Sequence, residues 1–167
     1  MRIQKAIGFL ALTALTASMP LFAQFGSMQS RPGASGKAAV TFLFPQQISV
    51  VAGKATGVDL QFKVGSGLHI NSNKPHAEEL IPTTFKLPDG VGVTLKSAKF
   101  PEGQDFTFAI NPKEKLSVYT GEFTIHAEIV AQKGEHLVEG TLRYQACDNN
   151  ACMPPHSIPV AFDVIAK

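Results

Sequence analysis

Both cysteines of the chain, Cys147 and Cys152, fall in one short stretch, YQACDNNACMPP, with four residues between them. Thiols this close can serve three chemistries. They can form a disulfide that staples a turn, clip a soft metal ion, or cycle between dithiol and disulfide as a redox couple. Asp148, Asn149 and Asn150 tolerate the left-handed backbone of a tight turn, so the spacing predicts a hairpin end that brings the cysteines together. A bond between them needs Cα atoms about 4.4–6.8 Å apart, which such a turn supplies. Pro154 and Pro155 then remove two backbone donors and hold the exit segment extended.

Magnitude weakens the staple. Closing a loop of about six residues restrains the unfolded chain by only roughly 2 kcal/mol, less than a bridge between distant strands would. The metal clip has Met153 and His156 beside the two thiolates, a soft set suited to Cu(I). Zinc fits less well, because His156 is the one strong local ligand to add. His69, His76, His126 and His136 are scattered along the chain and read as solvated or structural. For the redox use, nothing cationic lies between Tyr144 and Pro155, Asp148 is acidic, and no helix N-terminus is expected there. Neither thiol is therefore activated by its own surroundings. Exchange then relies on an incoming partner thiolate of low pKa, which makes the domain a relay for a thioredoxin-like protein.

The elements that must position this hairpin alternate with a period of two. Val58, Leu60, Phe62 and Val64 share one face, as do Phe123, Ile125, Ala127 and Ile129. Val138, Leu142, Tyr144 and Ala146 form a third such face, and Ile158, Val160, Phe162 and Val164 a fourth. Shorter strands are expected at 39–44, 48–51, 67–71, 82–87 and 91–99. Turn residues at 52–54, 88–90, 133–135 and 148–150 separate the runs. Roughly seven to nine antiparallel strands without a helical stripe predict an all-β, immunoglobulin-like sandwich, with a closed barrel as the alternative. Residues 71–82 fit a loop or one helical turn. Residues 101–117, with Phe106 and Phe108, read as a long connection and a candidate lid.

Arg2 and Lys5 followed by a short apolar run and a small-residue region ending at Ala23 predict a secretory signal over residues 1–23. Residues 24–37 read as a flexible leader and 38–167 as a single domain. The chain has 15 Lys+Arg and 13 Asp+Glu, and both surplus cations, Arg2 and Lys5, lie in the signal. A neutral mature domain lacks the basic stripe that nucleic-acid binding requires. No stable membrane insertion is expected after cleavage. Export to the periplasm or the exterior lets a disulfide persist. No cofactor and no resident metal are expected.

YQACDNNACMPP followed by an alternating strand resembles the active-site hairpin of the N-terminal periplasmic domain of the DsbD family, the transmembrane thiol–disulfide interchange proteins. GLHINSNKP, LIPTTFKLP and VYTGEFTI are also similar to stretches of that domain, and the resemblance covers most of residues 40–165. It implies an immunoglobulin-like fold whose cysteine pair is reduced by a membrane-embedded system through a thioredoxin-like domain, and then reduces periplasmic oxidoreductases. A cap loop shields the pair until a partner docks. Carried onto this chain, the redox pair is Cys147 and Cys152, flanked by the motif positions Tyr144, Pro154 and Pro155. The cap lies within 101–117, with Phe106 and Phe108 as candidates for its tip. The family also shows a longer cysteine spacing. This chain carries no transmembrane section or C-terminal thioredoxin domain, so a separate electron donor is expected. Thioredoxin-fold proteins are the expected partners. A secreted, non-catalytic binding domain with a structural disulfide and a copper-handling protein are the competing functions. The order in which the cysteines react is open.

Overall fold

The computed structural model describes residues 38–43, 47–108 and 111–167, with only the backbone described at Asn111 and Pro112. The expected signal (1–23) and leader (24–37) lie outside the described residues. Among the described residues there are twelve strands and no helix. They form three four-stranded sheets.

The first sheet contains β1 (Val40–Leu43), β3 (Thr56–Val64), β9 (Glu122–Ala131) and β6 (Val93–Lys99), in that order. The second runs β2 (Gln47–Val50), β12 (His156–Ala166), β10 (Gly134–Tyr144), β5 (Thr84–Lys86). Their pairings are antiparallel except β2 with β12, which is parallel. Neither sheet closes on itself, so the architecture is the immunoglobulin-like sandwich and not the barrel.

The period-two pattern becomes a buried face in each sheet. Val58, Leu60, Phe62 and Val64 of β3 lie with Phe123, Ile125, Ala127 and Ile129 of β9 in one core, in register Leu60 to Ile125 and Phe62 to Phe123. Val138, Leu142 and Tyr144 of β10 and Val160, Phe162 and Val164 of β12 complete that core from the second sheet. Each large apolar side chain removed from water contributes about 1.5–3 kcal/mol. Gly140 occupies the inward slot between Val138 and Leu142; a Cβ there would stand 2.8 Å from Leu87 and 2.9 Å from Phe85.

A third sheet was not foreseen. It runs β11 (Ala146–Cys147), β4 (His69–Asn71), β8 (Asn111–Tyr119), β7 (Gln104–Phe108). Its strands are continuations of the sandwich: β4 follows β3, β8 leads into β9, and β11 follows β10. The third sheet therefore sits at the end of the sandwich where β3 and β10 finish. Residues 71–82 form a loop with a turn, Leu80 N–H donating to the Ala77 carbonyl, and no helix. Residues 101–117 are not the irregular connection the sequence suggested. β7 and β8 pair in an antiparallel hairpin, with a register shift between Phe106 and Phe108.

Leu142, fully buried on β10 and paired with Phe85, ties the second sheet to the core. Leu142→Ala is expected to cost about 2–5 kcal/mol of stability, read as a lower midpoint of urea unfolding with the slope unchanged.

Candidate redox site

The site begins where β10 runs out. β10 and β12 pair along their whole length, ending at Tyr144 opposite His156. Past Tyr144 the chain leaves the second sheet and joins the third as β11. Here Ala146 pairs with Ile70 and Cys147 with His69. The returning strand closes a miniature hairpin in which Cys147 and Cys152 oppose each other. Two backbone bonds bracket the pair: Met153 N–H to the Ala146 carbonyl at 2.8 Å and Asp148 N–H to the Ala151 carbonyl at 3.0 Å. Asp148 makes the turn. Its Oδ1 accepts from the Asn150 N–H at 2.7 Å and the Ala151 N–H at 2.8 Å, the Asx-turn geometry that favours aspartate here. The same two N–H groups hold the Asp148 carboxyl below the usual carboxylate range, with a smaller contribution from His69.

The cysteines are joined. Their Sγ atoms are 2.03 Å apart and their Cα atoms 3.9 Å, closer than the usual range for a disulfide. The two cysteines are not equivalent. Cys147 is 0% exposed, whereas Cys152 and its neighbours Ala151, Met153, Pro154 and Pro155 are exposed, Met153 to 41%. With the thiols bonded to each other, the soft ligand set proposed for Cu(I) is not assembled in this form, and among the described residues no group of three His, Cys, Asp or Glu side chains is placed to hold an ion.

Buried polar groups anchor the hairpin to the domain. The Gln145 Oε1 accepts from Asn71 Nδ2 at 3.0 Å and from the Ile81 N–H at 3.3 Å. Its Nε2 donates to the Met153 carbonyl at 3.2 Å. Asn71 is fully buried, and its own carbonyl accepts from Thr83 Oγ1 at 2.5 Å. The loop 71–82 is thus tied to the strand that carries Cys147.

The β7–β8 hairpin brings its aromatics to the same place. The Phe106 ring lies 4.0 Å from His69, centroid to centroid, and Phe108 lies 6.0 Å from it. The two phenylalanines meet edge to face at 5.5 Å. At the base of β7, Gly103 packs so closely that a Cβ would run into Ser117 Oγ. Tyr144, by contrast, is 1% exposed and belongs to the core; burial pushes its hydroxyl above the usual tyrosine range. Its ring meets His156 at 6.0 Å.

His69 is the residue that sequence reasoning missed. It was grouped with the scattered histidines, yet it is 2% exposed, stands opposite Cys147 and lies against Phe106. Burial pushes its imidazole below the ordinary histidine range, while the Asp148 carboxylate pulls the other way. Its Nε2 is buried without a hydrogen-bond partner. An unpaired buried polar atom of this kind costs about 1–3 kcal/mol. Only the HxN alternation in GLHINSN, with His69 and Asn71 on one side of a strand, hinted at a polar wall there.

Fold and site together define an all-β, immunoglobulin-like domain that carries a disulfide-bonded cysteine couple at a hairpin end beside an aromatic pair. The chain belongs to the family described as thiol:disulfide interchange protein DsbD, N-terminal, whose profile matches residues 39–162. No curated protein sequence matches it at a significant level. Among solved structures, the N-terminal periplasmic domain of ScsB from Proteus mirabilis is similar over 74% of this chain and 44% of that one, at 12% identity and a TM-score of 0.50. The reduced DsbD N-terminal domain of Neisseria meningitidis aligns over 70% of this chain and 82% of its own, at 19% identity and a TM-score of 0.44. A structure of the complex between the DsbD and PilB N-terminal domains of the same organism aligns over 63% and 73%, also at 19% identity and 0.44.

Because the folded state holds His69 neutral, the unfolded chain binds the extra proton as pH falls through the ordinary histidine range. Stability therefore rises with pH there and is lost on acidification below about 6.5. The urea midpoint of the oxidised protein is expected to drop between about pH 7.5 and pH 5.5, and His69→Phe should flatten that slope.

Proposed function

We propose that this domain is an exported thiol–disulfide exchange module that relays electrons through the Cys147–Cys152 couple to or from thioredoxin-fold partners. The observation that carries the reading is the asymmetry of the disulfide, with one cysteine exposed and the other buried. A partner thiolate attacks the Sγ of Cys152, and a partner–Cys152 bond forms as the Cys147–Cys152 bond breaks. The electron pair of the broken bond leaves on Cys147, which takes up a proton. The partner's second thiol then attacks its own sulfur in the mixed disulfide and releases Cys152 as a thiol. Two electrons and two protons pass from partner to domain, and the reverse sequence delivers them to an oxidised acceptor. No Lys or Arg lies between Tyr144 and Pro155 and the described residues include no helix, so in this reading the partner supplies the reactive thiolate.

Phe106 and Phe108 act in this reading as a lid beside the couple, and Met153, Pro154 and Pro155 as the exposed rim that a partner meets. The signal expected over residues 1–23 supports a location in the periplasm or outside the cell, with a membrane protein as the proposed electron donor. Among the described residues no helix is long and apolar enough to cross a membrane.

Trapping tests the order of events. Cys147→Ser leaves the exposed thiol and should accumulate a mixed disulfide with a thioredoxin-fold partner, whereas Cys152→Ser leaves only the buried thiol and should accumulate little. Equal trapping by the two variants, or none by either, would sink the scheme. Phe106→Ala should speed reduction of the disulfide by a small dithiol severalfold, followed by the appearance of free thiol; an unchanged rate would remove the lid from the account.

A further inference from the structure

The order of attack deposits negative charge in a buried place, and the third sheet puts one titratable side chain beside it. His69 and Cys147 are direct cross-strand partners. In an antiparallel ladder such residues project from the same face with Cβ atoms about 4.5–5.5 Å apart. Cys147 is 0% exposed and His69 is 2% exposed, and Phe106 lies against the imidazole. Cys147 is therefore shielded from bulk water, with the nearly buried imidazole beside it. In the oxidised protein the His69 Nε2 is buried and has no hydrogen-bond partner. A thiolate at Cys147 is a strong acceptor.

We propose that His69 is the proton-handling partner of Cys147, carrying the proton that the leaving thiolate takes up when the disulfide opens and receiving it back when the couple is reoxidised. The inference rests on the relay reading and adds to it the group that manages charge. In the reductive direction the electron pair of the broken S–S bond stays on the Cys147 Sγ, and a proton from solvent reaches that sulfur through the imidazole. In the oxidative direction Cys147 gives its proton to His69 and, as thiolate, attacks Cys152 in the mixed disulfide and expels the partner's thiolate. Of the charged groups on the elements around His69, Asp148 acts on it directly and favours its protonated form. Asp105 and Lys115 of the β7–β8 hairpin are committed to each other at 2.9 Å. Burial thus disfavours the charged form of His69 in the oxidised protein, and a thiolate opposite would favour it.

The wild-type protein tests this without a substitution. The ring-proton NMR titration of His69 is followed in the oxidised protein and in protein reduced with a small dithiol. Reduction should raise the titration of the His69–Cys147 pair by at least about one pH unit, a tenfold gain in proton affinity; an identical titration in both states overturns the proposal. The second arm compares exchange rates with a thioredoxin-fold dithiol. His69→Gln, which keeps a polar side chain but cannot titrate, should slow exchange by about a hundredfold near neutral pH and abolish its pH dependence there. An unchanged rate, or the same loss at every pH, would mark the residue as structural only. Protein that shows the NMR shift but exchanges with no thioredoxin-fold dithiol would end the relay reading and keep the pairing. Exchange without the shift would do the opposite.

Discussion

Where β10 becomes β11, the side chain of Gln145 hydrogen-bonds to Asn71, to the Ile81 backbone and to the Met153 carbonyl. Everything functional in the domain hangs from that junction. The bonds join the first strand of the cysteine hairpin, its returning strand and a loop from the other half of the chain. A slip of β11 against β4 by one residue would break these bonds, so they favour a single register. That register is what sets Cys147 opposite His69 and leaves Cys152 on the outside. The sandwich supplies stability; the polar junction supplies position.

Asp148 is used twice within a few ångströms. Its carboxylate caps the turn by accepting two backbone N–H groups, and it also lies close enough to His69 to bias the imidazole. A turn residue that was chosen only for backbone geometry could be asparagine, like its two neighbours Asn149 and Asn150. The charge on Asp148 partly counteracts the desolvation that lowers the titration of the buried histidine. Local folding and site electrostatics are therefore coupled through one side chain.

The sandwich was legible because each of its long strands buries one face and wets the other, as in β3 and β10, and alternation records that directly. The cysteine hairpin was legible for a different reason: turn residues, thiols and prolines all lie within one short local segment. The third sheet left a fainter trace: the strand expected at 67–71 contains β4, but nothing local showed what it pairs with. β4 and β11 are two or three residues long, too short to show a period, and β4 is buried at every position. β7 and β8 mix Gln104, Asp105, Lys113 and Lys115 with Phe106, Phe108 and Leu116, a pattern that reads as a solvated connection until the two strands are seen to pair. His69 went unrecognised because its significance lies in a partner contributed by a distant segment. Pairing between distant strands is the information that a single sequence carries least openly.

The bond between Cys147 and Cys152 closes so small a loop that opening it releases little chain entropy, and the hydrogen bonds on either side of the pair do not involve sulfur. The sulfurs must separate when the bond opens, but the backbone bonds that frame the hairpin do not depend on it. A partner that arrives with electrons and one that arrives to collect them meet the same surface, and neither is rejected by contour. Direction is then a property of the circuit: it follows the relative reduction potentials of donor and acceptor, and the domain conducts both ways between them.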